Sequence, residues 1–182
     1  MKISDTPIGG LKIIEPDVFS DPRGYFFESY HTQKWLDAGV SSQFVQDNES
    51  MSSYGVIRGL HYQLDPWSQA KLVRVISGSV FDVAVDLRRD SPTFGKWFGI
   101  ELTGGNKLQL FIPRGFAHGF SVLSPTAVFA YKCDQVYQKA FERAIRFDDP
   151  ALAIDWKIEP EKQLISEKDR QAPLFSGAEM NF

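Results

Sequence analysis

Two short stretches, Arg58-Gly59-Leu60-His61-Tyr62-Gln63 and Ile112-Pro113-Arg114-Gly115-Phe116-Ala117-His118-Gly119-Phe120, hold two of the chain's three histidines. Imidazole is the side chain that takes or gives a proton near neutral pH without help from its surroundings. Both stretches look strand-like, as do the settings of Lys71 and Tyr131, and Asp169 supplies a carboxylate. These four residue types amount to proton-transfer equipment: a base, an acid, a cation and a carboxylate to hold an imidazole.

Each has an ordinary alternative. A lone strand histidine is commonly a buried ring satisfied by a backbone carbonyl, although Gly59 beside His61 leaves room for a ligand to come close. His118 ends the pattern Pro-x-Gly-x-x-His, a tight turn that aims the ring inward, and this too could be structural. Lys71 could be a solvated edge residue; its chemical use would be to stabilise a developing enolate oxygen. Tyr131 shares a strand face with Phe129 and Cys133, so it is either a core tyrosine or a general acid. Ser166-Glu167-Lys168-Asp169 fits a capping box, in which Asp169 would only cap a helix. The competing role for Asp169 is to hold the ring of His61 and raise its basicity.

Arg23 and Arg58 offer planar forks suited to a diphosphate. The chain lacks a Gly-rich phosphate loop, a dinucleotide fingerprint and a serine nucleophile elbow. A metal set would have to come from His61, His118 and Cys133 or an acid, with no second histidine in His61-Tyr62-Gln63, so no metal or other cofactor is expected. The net charge of −3 gives no general attraction to nucleic acid or anionic lipid. One cysteine permits no internal disulfide, no run approaches membrane-spanning length and no leader pattern is present, so a reducing, cytoplasmic setting is expected.

The elements that must carry these groups are mostly strands. At 182 residues the chain is expected to fold as a single domain over 1–182. Thr32 is placed to cap a short helix over 33–38, ended by Gly39. Strands are expected over 72–76, 80–87, 97–102, 108–112, 120–123, 128–133 and 144–147, separated by turns at 103–106, 114–115 and 124–126. Ser77-Gly78-Ser79 predicts a hairpin in which Val75 faces Val80, Val73 faces Asp82 and Lys71 faces Ala84. One face then carries Lys71, Val73, Val75, Val80, Asp82, Ala84 and Asp86, either solvated or lining a polar cavity. Many short antiparallel strands indicate an all-β barrel or jelly roll, with short helices or turns packed outside from residue 150 onward.

The chain resembles the dTDP-4-dehydrorhamnose 3,5-epimerase family of the cupin superfamily, over about residues 11–173. The resemblance is carried in order by Asp21-Pro22-Arg23-Gly24-Tyr25-Phe26-Phe27-Glu28-Ser29-Tyr30, Phe44-Val45-Gln46-Asp47-Asn48, the two histidine stretches, Lys71-Leu72-Val73-Arg74, Phe81-Asp82-Val83-Ala84-Val85-Asp86, Ser91-Pro92-Thr93-Phe94-Gly95, Tyr131-Lys132 and Ser166-Glu167-Lys168-Asp169. It implies a cupin-type jelly roll (a double-stranded β-helix) and inversion of C3 and C5 of dTDP-4-dehydro-6-deoxy-D-glucose through enolates. By position it implies His61 as base paired with Asp169, Tyr131 as proton donor and Lys71 beside the enolate. Arg23, Glu28, Gln46, Asn48, Arg58, His118, Glu142 and Lys168 fall on substrate-binding positions, with Tyr137 against the thymine. It further implies a homodimer whose N-terminal segment crosses over, so that Arg23 or Glu28 serves the partner's site. The chain departs at Glu49, where some relatives have histidine, and at Ala70, where many have glycine. A single-carbon epimerase or ketoisomerase on a related sugar nucleotide is the nearest alternative, and a non-catalytic ligand-binding cupin the more distant one. Arg58 and His61, three apart on one strand, should point to opposite faces, so either Gly59 introduces a kink or Arg58 reaches the phosphates from the rim.

Overall fold

The computed structural model describes residues 1–40 and 42–182. Strands β1 (Lys2–Asp5), β2 (Lys12–Glu15), β3 (Val18–Asp21) and β4 (Gly24–Phe27) lead into helix α1 (Thr32–Asp37). The body follows as β5 (Gln46–Ser53), β6 (Val56–Gln63), β7 (Lys71–Ser77), β8 (Ser79–Asp86), β9 (Trp97–Thr103), β10 (Gln109–Ile112), β11 (Phe116–Val122) and β12 (Thr126–Cys133). A C-terminal run of turns and short elements includes β13 (Glu142–Ala144), β14 (Leu164–Ile165) and α2 (Glu167–Arg170).

These strands form two sheets, ordered β1-β2-β10-β7-β12-β5 and β13-β6-β11-β8-β9, with β14 added to β6 and β3–β4 a separate ribbon. All pairings are antiparallel except that of β14. The arrangement is the expected all-β jelly roll of cupin type, with helices confined to its periphery. Val73, Val75, Val80, Ala84, Leu110, Phe120, Val122 and Phe129 fill the space between the sheets. Val83, Val85, Leu87 and Ala117 face the other way, where Ile145, Leu152 and Trp156 from the C-terminal run cover them. Leu72 and Phe111 pack with Trp35 of α1.

The hairpin expected at Ser77-Gly78-Ser79 does not form. β7 pairs with β10 and β12, whereas β8 pairs with β11 and β9, so the chain turns a corner between sheets. Gly78 is at φ +81°, and an added Cβ would lie 2.1 Å from the carbonyl oxygen of Thr126. A tight glycine turn looks the same in sequence whether the following strand pairs back or crosses over. The alternation nevertheless holds: Val73, Val75, Val80 and Ala84 all face the interior. Helix α1 begins one residue early, with His31 rather than Thr32 at its N-cap, and Gly39 follows it at φ +79°. The last expected strand is shifted, from 144–147 to Glu142–Ala144.

Candidate active site

The two sheets enclose a cavity of about 590 Å³ at one end of the barrel. Gln46, Asn48, Lys71, Phe129, Tyr131 and Cys133 reach it from the first sheet; Arg58, His61, Gln63, His118 and Phe120 reach it from the second. Tyr137 and Glu142 stand at its mouth. Inward alternation on five strands thus converges residues that are far apart in sequence.

Arg58 and His61 both line this cavity despite their odd spacing. His118 pairs with His61 and Phe120 with Arg58, so Gly59 and Leu60 together stand opposite Gly119. That extra residue is a β-bulge, which resets the alternation. Gly59 sits at φ +126°, and a Cβ there would lie 2.6 Å from the Cα of Gly119. The kink at Gly59 is therefore the answer to the parity conflict, and only glycine fits it.

His61 Nε2 lies 2.6 Å from Asp169 Oδ1. Asp169 is buried on α2, whose N-cap Ser166 accepts a hydrogen bond from the Asp169 backbone N–H. Ser166 thus caps the Asp169 backbone, while the Asp169 carboxylate turns to the imidazole instead of completing a capping box. Burial works to raise the Asp169 pKa, but hydrogen bonds from His61, Ser166 and the Gly59 N–H outweigh it and hold the carboxyl below its ordinary value. With Nε2 tied to a carboxylate, Nδ1 is left as the basic nitrogen.

Tyr131, on β12, reaches the cavity from the sheet opposite to that of His61. Burial raises its pKa, which keeps the phenol protonated and able to donate. The Lys71 ammonium lies 6.0 Å from the centre of the Tyr131 ring. Burial lowers its pKa, while Cys133, Asp82 and Glu142 act against that shift. The neighbouring carboxylates thus favour the charged ammonium, the form that could meet new negative charge in the cavity. Cys133 is buried, and burial pushes its thiol up to about 11, so it is not a nucleophile.

His118 is the neighbour of His61 across the β6–β11 ladder, and its Nε2 lies 2.9 Å from Asp82 Oδ2. Burial lowers the His118 pKa, with Asp82 opposing. The role of Asp82 as the partner of His118 is absent from the sequence reading, although alternation on β8 places it inside and gives the one available signal. Its other oxygen is buried without a hydrogen-bond partner among the described residues. Phe120 and Phe129 stack with ring centres 4.3 Å apart, forming an apolar wall between the sheets.

At the mouth, one oxygen of Glu142 accepts from both the Tyr137 hydroxyl (2.9 Å) and the Lys168 ammonium (2.6 Å). Burial opposes ionisation of Glu142, but these two donors outweigh it and lower its pKa. Arg58 Nε donates to Ser52, and Gln46 donates to Asn48. Arg23 and Glu28 are not brought to this cavity. Arg23 is exposed on the β3–β4 ribbon, 2.6 Å from Asp21, and Glu28 pairs with Lys34 at 2.7 Å. Among the described residues no three His, Cys, Asp or Glu side chains gather into a metal-binding group, and no helix is long and apolar enough to cross a membrane.

An imidazole–carboxylate pair and a phenol reach one cavity from opposite sheets of a cupin barrel, with an ammonium 6.0 Å from the phenol ring, an arrangement suited to acid–base isomerase chemistry. The comparisons give the family. The model for dTDP-4-dehydrorhamnose 3,5-epimerase matches residues 5–177. The chain is 51% identical over 180 residues, 98% of both chains, to the enzyme of that name from Pseudomonas aeruginosa. A solved dTDP-4-dehydrorhamnose 3,5-epimerase from Elizabethkingia anophelis is 55% identical with a TM-score of 0.93, covering 97% of each chain. A dTDP-6-deoxy-D-glucose-3,5-epimerase from Legionella pneumophila, solved in complex with dTDP-4-keto-L-rhamnose, is 51% identical with a TM-score of 0.93, covering 97% of this chain and 93% of that one. This chain belongs to the dTDP-4-dehydrorhamnose 3,5-epimerase family.

Proposed function

We propose that the protein inverts C3 and C5 of dTDP-4-dehydro-6-deoxy-D-glucose to give dTDP-4-dehydro-β-L-rhamnose. The observation that carries this reading is the approach of His61 and Tyr131 from opposite sheets onto one cavity. A carbon beside a ketone becomes acidic only if its enolate is stabilised as it forms. His61 Nδ1 removes the proton, and the Asp169 carboxylate stabilises the resulting imidazolium. The electron pair moves into the ketone, whose oxygen is met by Lys71. Tyr131 then returns a proton to the opposite face of the same carbon, which inverts it. Before the second carbon reacts, His61 must lose its proton to solvent and Tyr131 regain one. No electrons are gained or lost overall, so the reaction calls for no redox cofactor.

Arg58, Gln46, Asn48, His118, Tyr137, Glu142 and Lys168 hold the sugar and nucleotide in this reading, with Tyr137 against the thymine. We assign Arg23 and Glu28 to the site of a second copy in a homodimer. The β3–β4 ribbon that carries Arg23 supports this by exposing Phe19 (65%), Tyr25 (56%) and Phe26 (69%), large aromatic side chains. Light scattering that found only monomer would remove the assignment. The chain is read as one domain acting in the cytoplasm.

The function is tested by running the reaction in D₂O and following the sugar by NMR. Deuterium at both C3 and C5 is expected. Incorporation at one carbon only would make the protein a single-carbon epimerase, and incorporation at neither would leave a binding protein. Activity is expected to survive exhaustive treatment with EDTA; loss restored by a divalent metal would overturn the metal-free mechanism.

A further inference from the structure

We propose that Gln63 is a positioning residue for Tyr137, fixing the aromatic rim that receives the nucleotide base; this rests on the sugar-nucleotide reading above. Gln63 is the last residue of β6 and only 3% exposed, deep below a mouth residue that is 49% exposed. A buried primary amide must find partners for two donors and an acceptor. Gln63 spends all of them on backbone. Its Nε2 donates to the carbonyls of Trp67 (2.7 Å) and Val136 (3.3 Å), and its Oε1 accepts from the Gln138 N–H at 2.6 Å.

The partners in the second loop are the residues on either side of Tyr137. The N–H of Tyr137 itself donates to Gln46 Oε1, at 2.9 Å, from the other sheet. Three consecutive residues are therefore held by two glutamines, one from each sheet, across the open end of the barrel. The Tyr137 ring has one side-chain hydrogen bond of its own, from its hydroxyl to Glu142. Its place is set mainly by its backbone, and that backbone is set by Gln63 and Gln46. A rim that is already ordered spares the ligand the entropy of ordering it.

The chemistry at Gln63 is specific to an amide. Methionine has similar bulk and removes all three hydrogen bonds; glutamate keeps an acceptor for Gln138 but turns carboxylate oxygens toward two carbonyls. Neither change touches His61, Tyr131 or Lys71, so nucleotide binding should suffer more than turnover.

The experiment measures dTDP affinity by calorimetry, and KM and kcat with the keto-sugar nucleotide, for wild type, Gln63→Met, Tyr137→Ala and the double variant. Gln63→Met is expected to weaken dTDP binding and raise KM by ~10-fold or more, with kcat reduced by less than ~3-fold. In the double variant the affinity should be no weaker than in Tyr137→Ala alone, because Gln63 acts only through that ring. Unchanged dTDP binding in Gln63→Met, effects that multiply in the double variant, or a fall in kcat at constant KM would each overturn the inference. Should Gln63→Met not fold, Gln63→Glu is read by the same criteria. Wild type that binds no dTDP would instead bring down the nucleotide reading itself.

Discussion

The residues assigned to the chemistry are separable by what each should lose. His61→Ala is expected to lower kcat by at least ~100-fold, the scale of a general base; turnover near wild type would remove His61 from the mechanism. Lys71→Met should cost a similar ~100–1,000-fold, since it takes a pre-placed cation from a forming oxyanion. Tyr131→Phe makes a sharper expectation. Proton removal by His61 continues, so deuterium from solvent should still enter the starting sugar with retained configuration, while product formation falls. Loss of exchange and epimerisation together would place Tyr131 in the abstraction step instead. The candidates that line the cavity were legible in sequence as residue types, but the pairing of His118 with Asp82 was not. A carboxylate on an alternating strand shows which way it points and not which ring it meets.

At the scale of elements, the β6 bulge and the β7–β8 corner both depend on glycine, yet they were not equally visible in sequence. The bulge left a trace: two candidate residues at odd spacing called for either a break in alternation or a reach from the rim, and Gly59 stood between them. The corner left none, because local turn chemistry does not record which sheet the next strand joins. Gly59→Ala would press a methyl group to within 2.6 Å of Gly119 Cα at a φ of +126°. We expect a loss of ~2–4 kcal/mol in urea unfolding together with most of the activity, because strain there displaces His61 relative to Arg58. A Gly59→Ala variant with wild-type stability and turnover would mean the bulge does not position the base.

For the whole molecule, acid stability should be governed in part by Asp86, fully buried at the end of β8. Burial acts to raise its pKa, but hydrogen bonds from Arg88, Ser91 and Thr93 and the Arg88 N–H prevail and bring it to about 2. A carboxyl depressed from 3.8 in the unfolded chain binds protons there first as pH falls. Its contribution, on the order of 2–3 kcal/mol, is therefore complete above about pH 5 and mostly lost by about pH 2. Urea midpoints measured across that range should fall more steeply for wild type than for Asp86→Asn; parallel curves would exclude the role. The overall architecture was readable from the count and spacing of short strands. The order of strands within the two sheets was not, since that depends on contacts between segments that no local pattern encodes.

Because His61 and Tyr131, the proposed base and acid, hang on different sheets, the width of the gap they must bridge is the thickness of the sandwich. That thickness is set by what fills it, Phe120 on Phe129 foremost. Trimming the filling should therefore let the two jaws drift and blunt inversion while the fold still melts as a single unit, which makes the aromatic spacer a gauge for the reaction as much as a part of the interior.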